Sequence, residues 1–162
     1  MIPPISIVSR AGMLPKRIAE QQVTSALSQL ARHGLTAQAV AVQLEDSLSP
    51  GSSVLVSSVD QSCFLGADSI GARGKPALRV GSEAAWRFTN VFLTGACVDP
   101  HLADMLAPLL CLAKAPSSIL TSEVTEHLRT SLYVAQRFVS ASYSVEPRDH
   151  AQLLAIEPGL AK

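Results

Sequence analysis

Aromatic residues and charges are scarce in this chain of 162 residues. Phe, Trp and Tyr make up 4% of it, charged residues make up 16%, and the formal net charge is zero. With so few aromatic side chains, the core has to be built mainly from Leu, Val, Ile and Ala. A protein that binds nucleic acid by general electrostatic attraction carries an excess of Lys and Arg, which is absent here. Any contacts with a nucleic acid would therefore have to be few and local.

Cysteine pairs and long apolar runs are missing as well. Cys63, Cys97 and Cys111 show no Cys-x-x-Cys spacing, which is typical of free thiols in a reducing compartment rather than of disulfides. No apolar run approaches the roughly 20 residues of a membrane span, and the first residues lack the basic and apolar regions of a signal peptide. We therefore expect a cytoplasmic protein that has no membrane partner.

Short apolar segments with turn residues between them predict an alternation of strands and helices. In the first part we expect a strand at 5–8, a helix at 15–32 that is capped by Gly34, and two strands at 39–44 and 54–59 that form a hairpin. A third short strand at 63–65, a Gly-rich loop at 66–76 and a helix at 81–93 that is capped by Ser82 follow. In the second part we expect a helix at 99–112, a short strand at 119–121 and a helix at 124–139 that is capped by Ser122. Two paired strands at 141–145 and 151–156 complete it.

This order of elements predicts an α/β protein with mixed sheets of the α+β type, built as two units. The pattern changes between Gly95 and Val98. We therefore predict one small α/β domain at residues 1–96 and a second β/α unit at residues 97–162.

Four histidines are the first candidates for chemistry. His33 adjoins the end of a predicted helix and His150 lies in a predicted turn, so we expect both to be solvent-exposed. His101 and Asp104 share one face of a predicted helix, either as surface residues or as part of a binding site. A His-x-x-Asp pair is too common to identify a metal site, and no metal ligands are assigned.

His127 lies early in a predicted helix, after Glu123 and Glu126. The positive end of the helix dipole disfavours a further positive charge, so the imidazole would stay neutral and nucleophilic. The two glutamates act in the opposite direction. From position alone, an ordinary polar residue on an amphipathic helix is favoured over a nucleophile.

Three segments stand out when they are taken together: GADSIGARGKPALRVG at 66–81, VDPHLAD at 98–104 and TSEVTEHLRT at 121–130. In this order and spacing they resemble the RNA 3'-terminal phosphate cyclase family, and the similarity extends over most of the chain. The resemblance implies that residues 1–96 form the small insert domain of that family. Residues 97–162 would then be the C-terminal part of its catalytic domain.

The resemblance also implies a chemistry. It would make the protein a ligase that uses ATP and a divalent metal, Mg or Mn, to convert an RNA 3'-phosphate into a 2',3'-cyclic phosphate through a covalent His–AMP intermediate. His127 matches the nucleophile, Asp104 an acidic residue near the nucleotide, and His101 a residue that lies against the adenine. Met105 stands where the family often has Gln, and Ser131 where it often has Asn.

Partners follow from the same resemblance. RNA 3'-phosphate ends would be the substrate, and Arg73, Lys75 and Arg79 could contact RNA phosphates, although a solvated surface loop explains them equally well. The family's N-terminal half supplies most of the nucleotide pocket, so we expect this chain to be a partial enzyme that is inactive alone. The alternatives are a non-catalytic cyclase-like protein in RNA processing or ribosome assembly, and an unrelated α/β module that binds other proteins.

Overall fold

A computed structural model describes residues 4–44, 46–60 and 63–159 of the chain. The predicted fold class is confirmed, because helices alternate with strands in two sheets, of which the first combines parallel and antiparallel pairs. Two compact units comprise residues 1–90 and 91–162. The elements, in chain order, are β1 Ile5–Gly12, α1 Arg17–Ala31, β2 Gln38–Leu44, β3 Gly51–Val59, β4 Phe64–Ile70, α2 Ala77–Phe92, α3 Pro100–Leu110, β5 Ser117–Thr121, α4 Glu126–Phe138, β6 Ser142–Arg148 and β7 Ala151–Glu157.

The sheet of the first unit has the strand order β2-β1-β3-β4. The predicted hairpin between 39–44 and 54–59 is wrong, because β2 pairs in parallel with β1, and β3 pairs antiparallel with the other side of β1. Helix α1 connects β1 to β2, and such a crossover brings the second strand back parallel to the first. β2 therefore lies at the sheet edge and is mostly exposed.

The Gly-rich segment 66–76 is a loop only in its second part. Residues up to Ile70 belong to β4, which pairs antiparallel with β3 and places Gly66 opposite Ser57. Helix α2 then begins at Ala77, directly after Pro76. Ser82 therefore lies inside the helix and is not its N-cap.

Helices α1 and α2 approach each other closely at Gly81. A Cβ atom built on Gly81 would lie 1.9 Å from the backbone oxygen of Gln22, so only glycine fits without a shift of the backbone. The sequence pattern placed this glycine at a helix start, whereas its role is packing. The prediction for Gly34 is confirmed, since it follows α1 with a φ of 70°.

The second unit combines a three-stranded antiparallel sheet, in the order β5-β7-β6, with α3 and α4. The predicted pairing of its last two strands is confirmed. Its core joins apolar residues of both helices and of β7, including Ala103, Ala107, Leu128, Leu132, Leu154 and Ile156. Within the described ranges, no helix is long and apolar enough to cross a membrane.

Candidate active site

Helix α3 holds Asp104 at the border of the buried core. The helix begins after Asp99, whose Oδ1 accepts a hydrogen bond from the Leu102 amide at 3.0 Å, as is typical of an N-cap. Ala103 and Ala107 are fully buried and set the rotation of the helix. Asp104, next to Ala103, keeps only 13% of its side chain exposed.

Helix α4 places His127 in its first turn, as predicted. The N-cap is Thr125 rather than Ser122, because the Thr125 Oγ1 accepts a hydrogen bond from the Leu128 amide at 2.9 Å. Leu128 is fully buried and anchors the first turn to the core. The neighbouring His127 side chain is 77% exposed.

Asp104, Thr125 and His127 meet where the two helices lie side by side. The Thr125 hydroxyl donates a hydrogen bond to Asp104 Oδ1 at 2.8 Å, and His127 Nδ1 lies 3.4 Å from Asp104 Oδ2. Each carboxylate oxygen thus has its own partner. A rotation of the carboxylate would break both contacts, so the position of Asp104 relative to the imidazole is fixed.

Thr125 is a residue of the candidate site that sequence reasoning missed. A threonine followed by an acidic first-turn residue, here Glu126, is typical of a helix N-cap. That signal could have identified Thr125, rather than Ser122, as the N-cap. Its bond to Asp104 has no such signal, because the two residues are 21 positions apart.

This arrangement favours one tautomer of the imidazole. The contact between His127 Nδ1 and Asp104 Oδ2, at 3.4 Å, is an electrostatic one. A carboxylate beside Nδ1 favours a proton there and leaves the lone pair of Nε2 available in a largely exposed ring. A histidine oriented by a carboxylate in this way is the common geometry for nucleophilic or general-base chemistry.

A shallow groove of about 310 Å³ adjoins His127 within the second unit, lined also by Pro108, Thr130, Ser131, Val134 and Ala135. Ser131, one of the two departures from the family pattern, therefore lies at this site. His101 lies on α3 one turn before Asp104 and is exposed. Within residues 63–159, no hydrogen bond or ion pair joins His101 to Asp104 or His127, so its role stays a prediction.

The three basic residues proposed for RNA contact differ in their surroundings. Lys75 Nζ lies 2.6 Å from a Glu83 carboxylate oxygen and donates a hydrogen bond to Ser69 Oγ at 2.9 Å. The hydrogen bond from Lys75 is the main reason that the pKa of Glu83 is lowered. Arg73 and Arg79 are exposed. Lys75 is thus engaged within the fold, whereas the two arginines are accessible.

Metal ligands are a separate question, since the family resemblance implies a divalent ion. In the described parts of the chain, no group of three or more His, Cys, Asp or Glu side chains could hold a metal ion. These residues do not form a protein cage for Mg or Mn, and no chemical step is assigned to such an ion here.

Fold and site define a mixed α/β protein that presents a histidine–carboxylate pair at its surface. The family model of the RNA 3'-terminal phosphate cyclase (RTC) insert domain matches residues 1–91. The chain is 40% identical over 154 residues to the RNA 3'-terminal phosphate cyclase of Pyrobaculum aerophilum. It is 36% identical over 154 residues to that of Pyrobaculum neutrophilum and 34% identical over 142 residues to that of Pyrococcus furiosus.

These three alignments cover 94%, 94% and 88% of this chain. The chain therefore belongs to the RNA 3'-terminal phosphate cyclase family, and the predicted membership is confirmed. The same alignments cover 44%, 44% and 41% of the relatives. The chain thus spans less than half the length of the curated relatives that it matches.

Proposed function

We propose that this chain takes part in the ATP-dependent conversion of an RNA 3'-phosphate into a 2',3'-cyclic phosphate, with His127 as the residue that accepts AMP. One observation carries the proposal. The His127 ring is largely exposed, while its Nδ1 lies 3.4 Å from a carboxylate oxygen of Asp104. The names of the relatives support the RNA 3'-phosphate as the substrate.

In the first step, His127 Nε2 attacks the α-phosphorus of ATP. A P–N bond forms, the bond to the bridging oxygen breaks, and pyrophosphate leaves. The ring gains positive charge as Nε2 becomes bonded, and Asp104 stabilises that charge through the proton on Nδ1. Thr125 acts as a positioning residue because it holds the other oxygen of the same carboxylate.

In the second step, an oxygen of the RNA 3'-phosphate attacks the phosphorus of the His127 adduct. The P–N bond breaks, which restores the free imidazole and leaves AMP joined to the RNA end through a diphosphate. In the third step, the adjacent 2'-hydroxyl oxygen attacks the 3'-phosphorus and loses its proton. AMP leaves, and the 2',3'-cyclic phosphate remains. Dividing one difficult displacement into easier ones is the benefit of a covalent intermediate.

The nucleotide would lie along α3 and α4, with Asp104 near its sugar and phosphate and with His101 against the adenine. Met105 cannot donate the hydrogen bonds of the family's Gln, and Ser131 is shorter than Asn. We expect weaker nucleotide binding for this reason. Mg²⁺ or Mn²⁺ would be held chiefly by the phosphate oxygens of ATP, as is common for Mg²⁺.

RNA would contact the accessible guanidinium groups of Arg73 and Arg79, and Lys75 would contribute only if its pair with Glu83 opens. A cytoplasmic setting fits Cys97 and Cys111, which are free thiols.

The activity would also require the part of the family's enzymes that this chain does not match, which is more than half of their length. On helix α4, Arg129 lies two residues after His127 in sequence and 3.7 Å from Glu126, so the start of this helix offers little positive charge for a triphosphate. The partner would be the N-terminal half of the family's enzymes, whether on the same polypeptide or on another. This scarcity of cations also favours the second candidate, a non-catalytic cyclase-like protein in RNA processing or ribosome assembly.

Labelling with ATP that carries ³²P at the α-phosphorus tests the proposal. We expect no label on the chain alone. A fusion to the N-terminal half of the Pyrobaculum aerophilum relative should become labelled, through a bond that acid breaks and alkali does not. The substitution His127→Ala should abolish the label, and His33→Ala, at another exposed histidine, should leave it unchanged. A folded fusion that binds ATP and takes no label would favour the non-catalytic candidate.

A further inference from the structure

The first unit contains a cavity that the proposed function does not use. It has a volume of about 400 Å³ and lies between the start of α1, the start of β3 and the loop before α2. Small-molecule sites in proteins commonly measure roughly 300–1000 Å³, so the space suits a ligand of nucleotide size. Its lining consists of Leu14, Ile18, Gln22, Pro50, Gly51, Ser52, Gly71, Ala72, Arg73, Lys75, Ala77 and Val80.

Part of this lining is apolar and part is a fixed polar wall. Leu14, Ile18 and Val80 supply the apolar surface. Gln22 is fully buried, and its Nε2 donates a hydrogen bond to Ser52 Oγ at 2.8 Å. The Ser52 hydroxyl proton has no acceptor among the residues that the structure describes, so it can be donated to a ligand.

The part of the cavity lining that the structure describes contains two basic residues, Arg73 and Lys75, and no acidic one. Glu83, outside the lining, compensates Lys75 at 2.6 Å. Arg73 has no ion pair within the described ranges. A guanidinium group binds phosphate oxygens in a bidentate manner, which makes an anion with phosphate oxygens the fitting ligand.

We propose that this cavity binds a single nucleotide, with the base against the apolar wall and the phosphate on Arg73. An apolar wall alone would suit many molecules, and a guanidinium alone would suit any anion. The two features within one nucleotide-sized space suit a flat base joined to a phosphate. The ligand is either a free mononucleotide or the terminal nucleotide of an RNA strand. The proposal does not depend on the chemistry of His127.

Titration of the ¹⁵N-labelled chain tests the proposal through the amide signals of Gly51 and Gly71, which line the cavity. The probes are adenosine 3'-monophosphate, a short RNA with a 3'-phosphate, adenosine and inorganic phosphate. We expect saturable shifts with adenosine 3'-monophosphate, with the RNA or with both. Adenosine alone and inorganic phosphate alone should bind more weakly. Tighter binding of the RNA indicates a strand end, and equal or weaker binding indicates a free nucleotide. If neither causes shifts, or if phosphate alone binds as tightly as the nucleotide, the proposal is wrong.

Three variants separate the cavity from a general surface effect. Arg73→Ala should weaken binding roughly tenfold, the loss typical of a charged hydrogen bond, and Ala77→Leu should weaken it by occupying the space. Arg32→Ala removes an exposed arginine of the same unit that does not line the cavity, and it should change little. Equal losses for Arg73→Ala and Arg32→Ala, or tight binding by a folded Ala77→Leu variant, would overturn the proposal. The amide signals that are followed lie in the cavity and not at His127, so a failure of the His127 chemistry remains distinguishable.

Discussion

One pair of a basic and an acidic side chain in the first unit, Lys75 with Glu83, contrasts with one in the second unit, His127 with Asp104, in how completely the basic group is satisfied. In the first unit, Lys75 Nζ lies 2.6 Å from Glu83 and is 22% exposed. Ser69 Oγ and the Ile70 carbonyl oxygen accept hydrogen bonds from the same nitrogen. In the second unit, His127 contacts Asp104 at 3.4 Å through one ring nitrogen and is 77% exposed.

The difference separates a structural pair from one that suits chemistry. All the donor capacity of Lys75 serves the connection between β4 and α2. In the other pair the acid is the partner that is held, by Thr125 and by its low exposure, while the imidazole keeps one nitrogen available. A fixed carboxylate and an accessible base are what a nucleophilic histidine requires. The following changes break or sharpen this contrast.

Asp104→Ala should have the largest effect. In a fusion that becomes labelled by ATP, we expect the rate of labelling to fall about a hundredfold, the usual cost of a misplaced reacting group. Lys75→Met breaks the other pair and should leave the rate within about twofold, since it removes a structural contact. Equal losses for the two variants would contradict the distinction between the pairs.

Gly81→Ala tests the first unit separately. Its Cβ atom would lie 1.9 Å from the Gln22 backbone oxygen, so we expect a loss of about 1–3 kcal/mol in the free energy of unfolding, as for other overpacked cores. Urea denaturation measures this loss. Gly51→Ala is the matched control, because a Cβ atom there meets nothing within 4 Å. An equally small effect of both variants would show that α1 and α2 are not in close contact.

Thr125→Val should destabilise the second unit by about 1–2 kcal/mol, because it removes an N-cap. It should also slow labelling of the fusion, since Asp104 Oδ1 loses its donor. Thr125→Ser keeps both hydrogen bonds and should behave as the parent chain does. Thr130→Val, on the same helix, removes only an exposed bond to the Glu126 carbonyl oxygen. If it costs as much as Thr125→Val, the cap has no special role.

Glu83→Gln should have the smallest effect, and this effect should depend on pH. The pKa of folded Glu83 lies below its ordinary value, chiefly because of the hydrogen bond from Lys75. Its ionised form therefore stabilises the fold above the unfolded pKa, and this contribution is lost as the pH falls through the folded pKa. The difference between parent and variant in urea denaturation should shrink on acidification. A difference that stays constant or grows would contradict the role of this pair.

Local signals in the sequence predicted most element types and the position of His127. Predictions failed where pairing or packing over long range decided the structure. The strands at β2 and β3 are adjacent in sequence, yet β1 lies between them in the sheet. Gly81 was predicted to begin a helix. Its actual role, close packing against Gln22, leaves no signal in the local sequence.

The candidate site shows the same limit. Asp104 and His127 received their roles through resemblance, and spacing alone could not bring them together. The contacts exist because the buried faces of α3 and α4 pack on one core, which sets the rotation of both helices. Tertiary packing of this kind cannot be read from the period of either helix.

The state of the neutral His127 ring tests the central claim most directly. Long-range ¹H–¹⁵N correlation spectra of the chain, recorded at a pH where the imidazole is uncharged, report which ring nitrogen holds the proton. We predict the proton on Nδ1 in the parent chain and a shift towards Nε2 in Asp104→Ala. A proton on Nε2 in the parent chain would contradict the account, because the nitrogen that has to attack phosphorus would then lack its lone pair.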